Sequence, residues 1–167
     1  DRAVLSELNK KDCAELQQRF AGDRQVSVQL MDAYQSLKAH LPPKERRGLV
    51  LIDSSFDRAH EFARLREALK SAHMLWAGGI YAPWFPLMGP GTMRAFERQI
   101  VTTGIRRILW LDLTVRAGSE AGRLGGCGML VVNPPYGFPA EAAVILEWLA
   151  RVLAPAGEGE AHCRVLV

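Results

Sequence analysis

The run Gly48-Leu49-Val50-Leu51-Ile52 is continuously apolar and stops at Asp53. A run of this kind reads as a strand buried on both faces, and such strands belong to parallel sheets covered by helices. Parallel neighbours need a long crossover, usually a helix, and the flanking sequence supplies crossovers. Ala3-Val4-Leu5-Ser6 reads as the end of one strand, and Asn9 as the N-cap of a helix that runs to Phe20 and stops at Gly22. Gln25 to Leu30 alternates polar and apolar residues, the period of a strand. Asp32 opens a helix that Pro42-Pro43 ends near Leu41. From Ala59 to Met74, Phe62, Leu65, Leu69 and Ala72 form one helical stripe. Trp76 to Tyr81 reads as a buried strand running into Ala82-Pro83-Trp84-Phe85-Pro86, followed by a helix from Thr92 to Thr102.

The last third has a different pattern. Ile105–Val115 and Cys127–Val132 both read as strands, joined by a polar, Gly-rich loop too short for a comfortable parallel crossover. An antiparallel hairpin follows from that. Glu141 to Leu153 is amphipathic through Ile145, Leu146, Leu149 and Leu153, and His162–Val167 adds a short strand. The expected fold is α/β: a mostly parallel sheet with helices on both faces, ending in an antiparallel hairpin. That is the layout of the Rossmann-like methyltransferases, an inference from fold alone. At 167 residues the chain is expected to form one domain, residues 1–167.

Composition narrows the class. Hydrophobic residues make up 49% and charged residues 23%, as in globular proteins, which excludes a disordered or collagen-like chain. No apolar run approaches the roughly 20 residues of a membrane span, and the first residues lack the basic-then-apolar layout of a signal peptide. Cys13, Cys127 and Cys163 show no CxxC spacing, and His40, His60, His73 and His162 form no ligand pair, so neither a zinc site nor a disulfide is expected. A reducing cytoplasm suits that usage. The net charge of +3 permits a nucleic-acid partner without requiring one. Basic residues concentrate in Lys44-Glu45-Arg46-Arg47 and Arg106-Arg107, which also suit a solvated loop and helix end.

In open parallel sheets, ligands bind beyond the carboxyl ends of strands. Glu7, Asp32 and Asp53 all sit at such ends. One such acid suits ribose hydroxyls, a second an adenine amine, and a third the reacting centre. Helix N-capping by Asp32 and Asp53 explains their positions equally well. Asp53-Ser54-Ser55-Phe56 lacks the glycines of a hydrolase nucleophile elbow. Asn133-Pro134-Pro135-Tyr136 matches the [DNS]-P-P-[YFW] pattern of amino-methyltransferases, but it follows the hairpin strand, where a turn is the better reading. Tyr81, Trp84 and Phe85 suit either stacking on a flipped base or packing at a strand end.

Several blocks together resemble the bacterial 23S rRNA adenine N(6)-methyltransferases, a family also associated with the use of external DNA. They are Leu5-Ser6-Glu7-Leu8, Leu41-Pro42-Pro43 with Arg46 through Asp53, Gly79 through Pro86, Thr103 through Leu109, Gly128 through Pro135, and Leu153 through Gly157. The resemblance implies S-adenosylmethionine as cofactor and 23S rRNA as substrate, with DNA as a further partner under the external-DNA role. No membrane partner is implied, and the oligomeric state stays open. By resemblance, Glu7 holds the cofactor ribose, Asp32 and Ala33 its adenine end, and Asp53 opens the catalytic motif and accepts a hydrogen bond from the target amine.

Two departures from the family stand out. Its catalytic motif is Asp-Pro-Pro-Tyr, and here it is Asp53-Ser54-Ser55-Phe56. Serines loosen the loop that the prolines fix, so impaired methyl transfer is expected. The alternative is a catalytically degenerate nucleic-acid-binding protein. The family's first strand and Gly-rich cofactor loop also have no counterpart before Glu7. Without them, the strands ending at Glu7 and Asp53 are expected to expose backbone edges, and the isolated chain to be poorly stable.

Overall fold

The computed structural model describes residues 1–56, 60–116, 124–154 and 159–167, so most of the polar loop between the last two long strands lies outside the described residues. The chain divides into two units, Asp1–Pro43 and Lys44–Val167.

In the first unit, β1 (Ala3–Glu7) and β2 (Val26–Leu30) pair in parallel, with Glu7 opposite Leu30. The helices α1 (Lys10–Arg19) and α2 (Ala33–His40) each start at a polar N-cap. Asn9 Oδ1 accepts from the N–H groups of Lys11 and Asp12, and Asp32 Oδ1 from those of Tyr34 and Gln35. These caps satisfy amide donors that the first helical turn leaves without partners.

The second unit is a five-stranded sheet ordered β3-β4-β6-β5-β7. Its strands are β3 (Leu49–Ile52), β4 (Ile80–Pro86), β5 (Ile108–Thr114), β6 (Gly126–Val132) and β7 (Glu160–Val165). β3 and β4 are parallel, and β6 pairs antiparallel with both β4 and β5, so β5 points the same way as β3 and β4. The β5–β6 hairpin is therefore present, with β6 inserted between β4 and β5, and β7 runs antiparallel to β5 at the far edge. The helices are α3 (Glu61–Leu75), α4 (Pro90–Val101) and α5 (Phe138–Leu153).

Period-two alternation sorts the strand residues into two cores. Tyr81, Phe85, Ile108, Trp110, Leu130 and Val132 are buried on the same side as Leu65 and Leu69 of α3 and Phe96 and Ile100 of α4. Leu109, Leu111 and Val131 pack with Ala142 of α5, joined by Met129, Leu146 and Cys163. Arg164 ties β7 to the first face: its guanidinium forks onto Glu97 of α4 at 2.9 and 2.6 Å and lies 5.0 Å from the Trp110 ring centroid.

Three expectations need correcting. β3 is not buried on both faces: among the described residues it pairs with β4 alone, and Leu49 and Leu51 are 64% and 63% exposed. The apolar run is there, but Leu49 and Leu51 alternate onto one face of the strand and that face is left uncovered, while Ile52 on the other is buried. The strand expected from Trp76 begins instead at Ile80 and runs through Pro83, which is fully buried opposite Ile52. On α5 the buried stripe runs through Ala142 and Ala150, while Ile145 and Leu153 are each 53% exposed. Small residues let the helix sit close to the sheet, and their period decides which face is inward.

Tyr81 is a core anchor. Its single hydroxyl proton is shared between the carbonyls of Ala72 at 2.9 Å and Trp76 at 2.7 Å, fixing the end of α3. Burial pushes the phenol up to about 12. The folded state thus keeps a proton that the unfolded chain releases near pH 10. This contribution to stability is intact below about pH 10 and is lost as pH rises through about 12. Tyr81→Phe is expected to cost about 1–2 kcal/mol at neutral pH. It should also flatten the fall in urea midpoint that the parent chain shows over that alkaline range.

Candidate active site

The carboxyl end of β3 releases the chain at Asp53, and the carboxyl end of the adjacent β4 carries Trp84 and Pro86. Between them lies a cavity of ≈ 750 Å³. It is lined by Asp53, Ser54, Ser55 and Phe56, by His60, Glu61 and Phe62 at the start of α3, by Trp84 and Pro86, and by Met88 and Thr92 before and within α4. The whole cavity lies in the second unit.

The walls are aromatic. Phe56 meets Phe62 at 4.9 Å between centroids and stands edge-on to Trp84 at 6.0 Å, with an interplanar angle of 70°. Phe62 continues the contact inward to Phe96 at 4.7 Å and Phe85 at 6.5 Å. Edge-to-face pairs of this kind add about 0.5–1.5 kcal/mol beyond area burial and hold the rings in fixed orientation. Phe56 and Trp84 thereby form a near-perpendicular corner beside an exposed carboxylate, Asp53. A corner of this kind offers one ring face for stacking, a second ring edge beside it, and a carboxylate that can accept an N–H.

The structure thus brings Asp53, Ser54, Ser55, Phe56 and Trp84 into one cavity. Tyr81, also expected to bind substrate, does not join them, because it is fully buried and its hydroxyl serves two backbone carbonyls. Of the two readings for this stretch, Tyr81 and Phe85 take the packing one, while Trp84 faces the cavity. Strand alternation separates Trp84 from Phe85.

Sequence reasoning missed His60 and Glu61. His60 caps α3 in a left-handed conformation (φ 68), an uncommon state for a residue with a Cβ. Glu61 is only 3% exposed, and its carboxylate pairs with Arg64 at 2.9 Å. A cue to this pair was the i, i+3 spacing of Glu61 and Arg64, which brings two side chains together on a helix.

Glu7, Asp32 and Ala33 belong to the first unit, at the carboxyl end of its parallel pair. Glu7 is half-buried, and its Oε1 accepts the Asn9 N–H at 2.7 Å, which orients the carboxylate at the strand end. Asp32 fills the N-cap role that its position allowed, and Ala33 is the first residue of α2.

Asn133-Pro134-Pro135-Tyr136 lies at the other end of the sheet. Because β6 runs antiparallel to β4, its last residue Val132 pairs with Tyr81, near the amino end of β4. Asn133 adopts φ 54, and its side-chain amide donates to the carbonyls of Ala77 and Gly79, both at 2.8 Å. This is the turn role, with the amide closing the loop before β4. Among the described residues no group of three or more His, Cys, Asp or Glu side chains could hold a metal, and no helix is long and apolar enough to cross a membrane.

The family described as "Ribosomal RNA large subunit methyltransferase D, RlmJ" matches residues 1–167. The chain is 36% identical over 159 residues to ribosomal RNA large subunit methyltransferase J of Haemophilus influenzae, covering 95% of this chain and 57% of that protein. It is 34% identical over 161 residues to the protein of the same name from Escherichia coli, covering 96% and 58%. It therefore spans somewhat more than half the length of these relatives. The crystal structure of protein LPL1258 from Legionella pneumophila superposes with a TM-score of 0.89 at 29% identity, covering 99% of this chain and 61% of that one. Agreement over the full chain in sequence and in fold shows that it belongs to the RlmJ family of ribosomal RNA large subunit methyltransferases.

Proposed function

We propose that the cavity at the carboxyl end of β3 and β4 receives an adenine of 23S rRNA and positions its exocyclic amine for methylation by S-adenosylmethionine. The observation that carries this reading is the grouping of Asp53, Phe56 and Trp84 around one cavity. S-adenosylmethionine, when bound, supplies an electrophilic methyl group on a sulfonium. The chain's own residues do the rest. Asp53 accepts an N–H of the amine and so turns the nitrogen lone pair outward. A backbone carbonyl of the 53–56 loop accepts the second N–H. Trp84 stacks on the base plane, and Phe56, nearly perpendicular to it, meets the base edge. In the first unit, Glu7 takes the ribose hydroxyls of the cofactor, and Asp32 with Ala33 takes its adenine end.

The expected product is N6-methyladenine in protein-free 23S rRNA, read by nuclease digestion and mass spectrometry after incubation with labelled S-adenosylmethionine. Trp84→Ala is expected to raise the KM for RNA about ten-fold, the cost of one lost base–aromatic stack. Calorimetric titration with S-adenosylmethionine checks the cofactor assignment separately. Absence of labelled adenine both from the parent chain and from the variant with both serines replaced by proline would refute the proposal.

Ser54 and Ser55 favour a second reading, in which the chain binds nucleic acid in this cavity without transferring methyl groups. Under that reading the cavity variants weaken RNA binding, while restoring the prolines yields no product.

A further inference from the structure

The two basic clusters of the sequence, some sixty residues apart, reach the same end of the sheet. Residues 44–48 lead into β3 and residues 103–107 into β5, and β3, β4 and β5 point the same way. Both clusters therefore lie at the amino-terminal end of these strands, and the cavity lies at their carboxyl end. β6 closes at this same amino-terminal end with Asn133-Pro134-Pro135-Tyr136, and the Asn133 N–H donates to the Arg107 carbonyl at 3.0 Å. Residues 44–48, 76–79, 103–107 and 133–137 carry Lys44, Arg46, Arg47, Arg106 and Arg107 against a single carboxylate, Glu45. This local surplus exceeds the +3 of the entire chain.

The groups are presented outward. All five cations are exposed, and no ion pair among the described residues engages any of the four arginines. Tyr136 is more exposed than in an extended chain, at 107%. Arg107 (φ 58) and Asn133 (φ 54), which share the hydrogen bond, are both left-handed without being glycine. A left-handed conformation in a residue with a Cβ costs on the order of 1 kcal/mol, so this turn holds a cation where a glycine would be less strained.

We infer that the amino-terminal end of the five-stranded sheet is a second RNA-docking surface, separate from the methylation cavity. There Arg46, Arg47, Arg106 and Arg107 contact phosphates, and Tyr136 stacks on an unpaired base. Guanidinium groups around an exposed ring are the combination that binds single-stranded nucleic acid, with cations tracking the backbone and the ring meeting a base face. β4, seven residues long, separates the two ends by roughly 20 Å. A short oligonucleotide in the cavity does not reach the arginines, whereas a long folded RNA can contact both.

This inference rests on the rRNA reading of the cavity, but its test requires no turnover. Binding of a long structured 23S rRNA transcript is measured by fluorescence anisotropy, and binding of S-adenosylmethionine by calorimetry. Three variants are compared with the parent: Arg46→Gln/Arg47→Gln, Arg106→Gln/Arg107→Gln and Tyr136→Ala. Each arginine pair is expected to weaken transcript binding about ten-fold and to lower the slope of log affinity against log salt by roughly 1.5. Tyr136→Ala should weaken it about five-fold or more, with a reduced salt effect absent. S-adenosylmethionine, a cation that the arginines do not attract, should bind all three variants as it binds the parent. Circular dichroism identifies any pair that misfolds, and Tyr136→Ala, which removes no buried contact, keeps the test decisive. Unchanged transcript affinity, an equal loss of S-adenosylmethionine binding, or competition by duplex DNA as strong as by RNA would each overturn the inference. A chain that binds the transcript through these residues but methylates nothing, even with both serines replaced by proline, would sink the proposed function and leave this surface standing.

Discussion

Replacing Ser54 and Ser55 together by proline is expected to raise the rate of adenine methylation by about ten- to a hundred-fold. The size of the effect comes from positioning, since a misplacement of about 1 Å at a reacting centre can cost on the order of 100-fold. Asp53 and Phe56 bracket the two serines at the cavity wall. Proline fixes φ near −65° and carries no N–H. Serine leaves φ free and adds a hydroxyl that competes for nearby backbone groups. Under the proposed function, a serine loop is expected to hold its carbonyl on the amine less often than a proline loop does. Phe56 stays clamped by Phe62 and Trp84, so the loss falls on turnover more than on base binding. Single-turnover kinetics on 23S rRNA check this: the gain should appear in the chemical step with little change in KM. Equal rates for parent and double variant would show that the serines do not limit the reaction.

Phe85→Ala is expected to destabilise the second unit by about 3–5 kcal/mol, the usual cost of emptying a buried aromatic site. Phe85 is fully buried, and its ring touches Trp110 at 4.8 Å, Phe96 at 5.2 Å and Phe62 at 6.5 Å. It joins β5, α3 and α4 beneath the cavity floor. It lies against Gly128 of β6, where an added Cβ would come within 2.4 Å of the ring. Gly128→Ala alone should therefore be strained, and less so in combination with Phe85→Ala, giving a non-additive double-mutant cycle. All four tryptophans belong to this unit, so urea unfolding followed by tryptophan fluorescence reports on it directly. A loss under about 1 kcal/mol would mean that the site collapses around the smaller side chain.

Much of the local structure was legible in the sequence. Asn9 and Asp32 cap their helices because a short polar side chain matches the amides of a first turn, a relation contained within a few residues. The β5–β6 hairpin followed from a connection too short for a crossover. The apolar stripe of α3 is buried as expected at Leu65, Leu69 and Ala72. Asp53 and Trp84 line the cavity because they sit at strand ends, where parallel sheets open their crevices.

Other features depend on which elements become neighbours. An apolar run specifies a strand without saying which of its faces is covered, and the face that carries Leu49 and Leu51 is exposed. Tyr81 and Trp84 both follow as aromatic residues of one strand, yet one is buried beneath α3 and the other faces the cavity. His60 and Glu61 join Asp53 only because α3 begins beside the end of β3 and β4. The two basic clusters are unremarkable loops until the common direction of β3 and β5 places them at one end. Periodicity, caps and turn residues act over a few residues and are written in the sequence. Strand order and direction are set by burial summed over the whole sheet, and those decide which side chains meet.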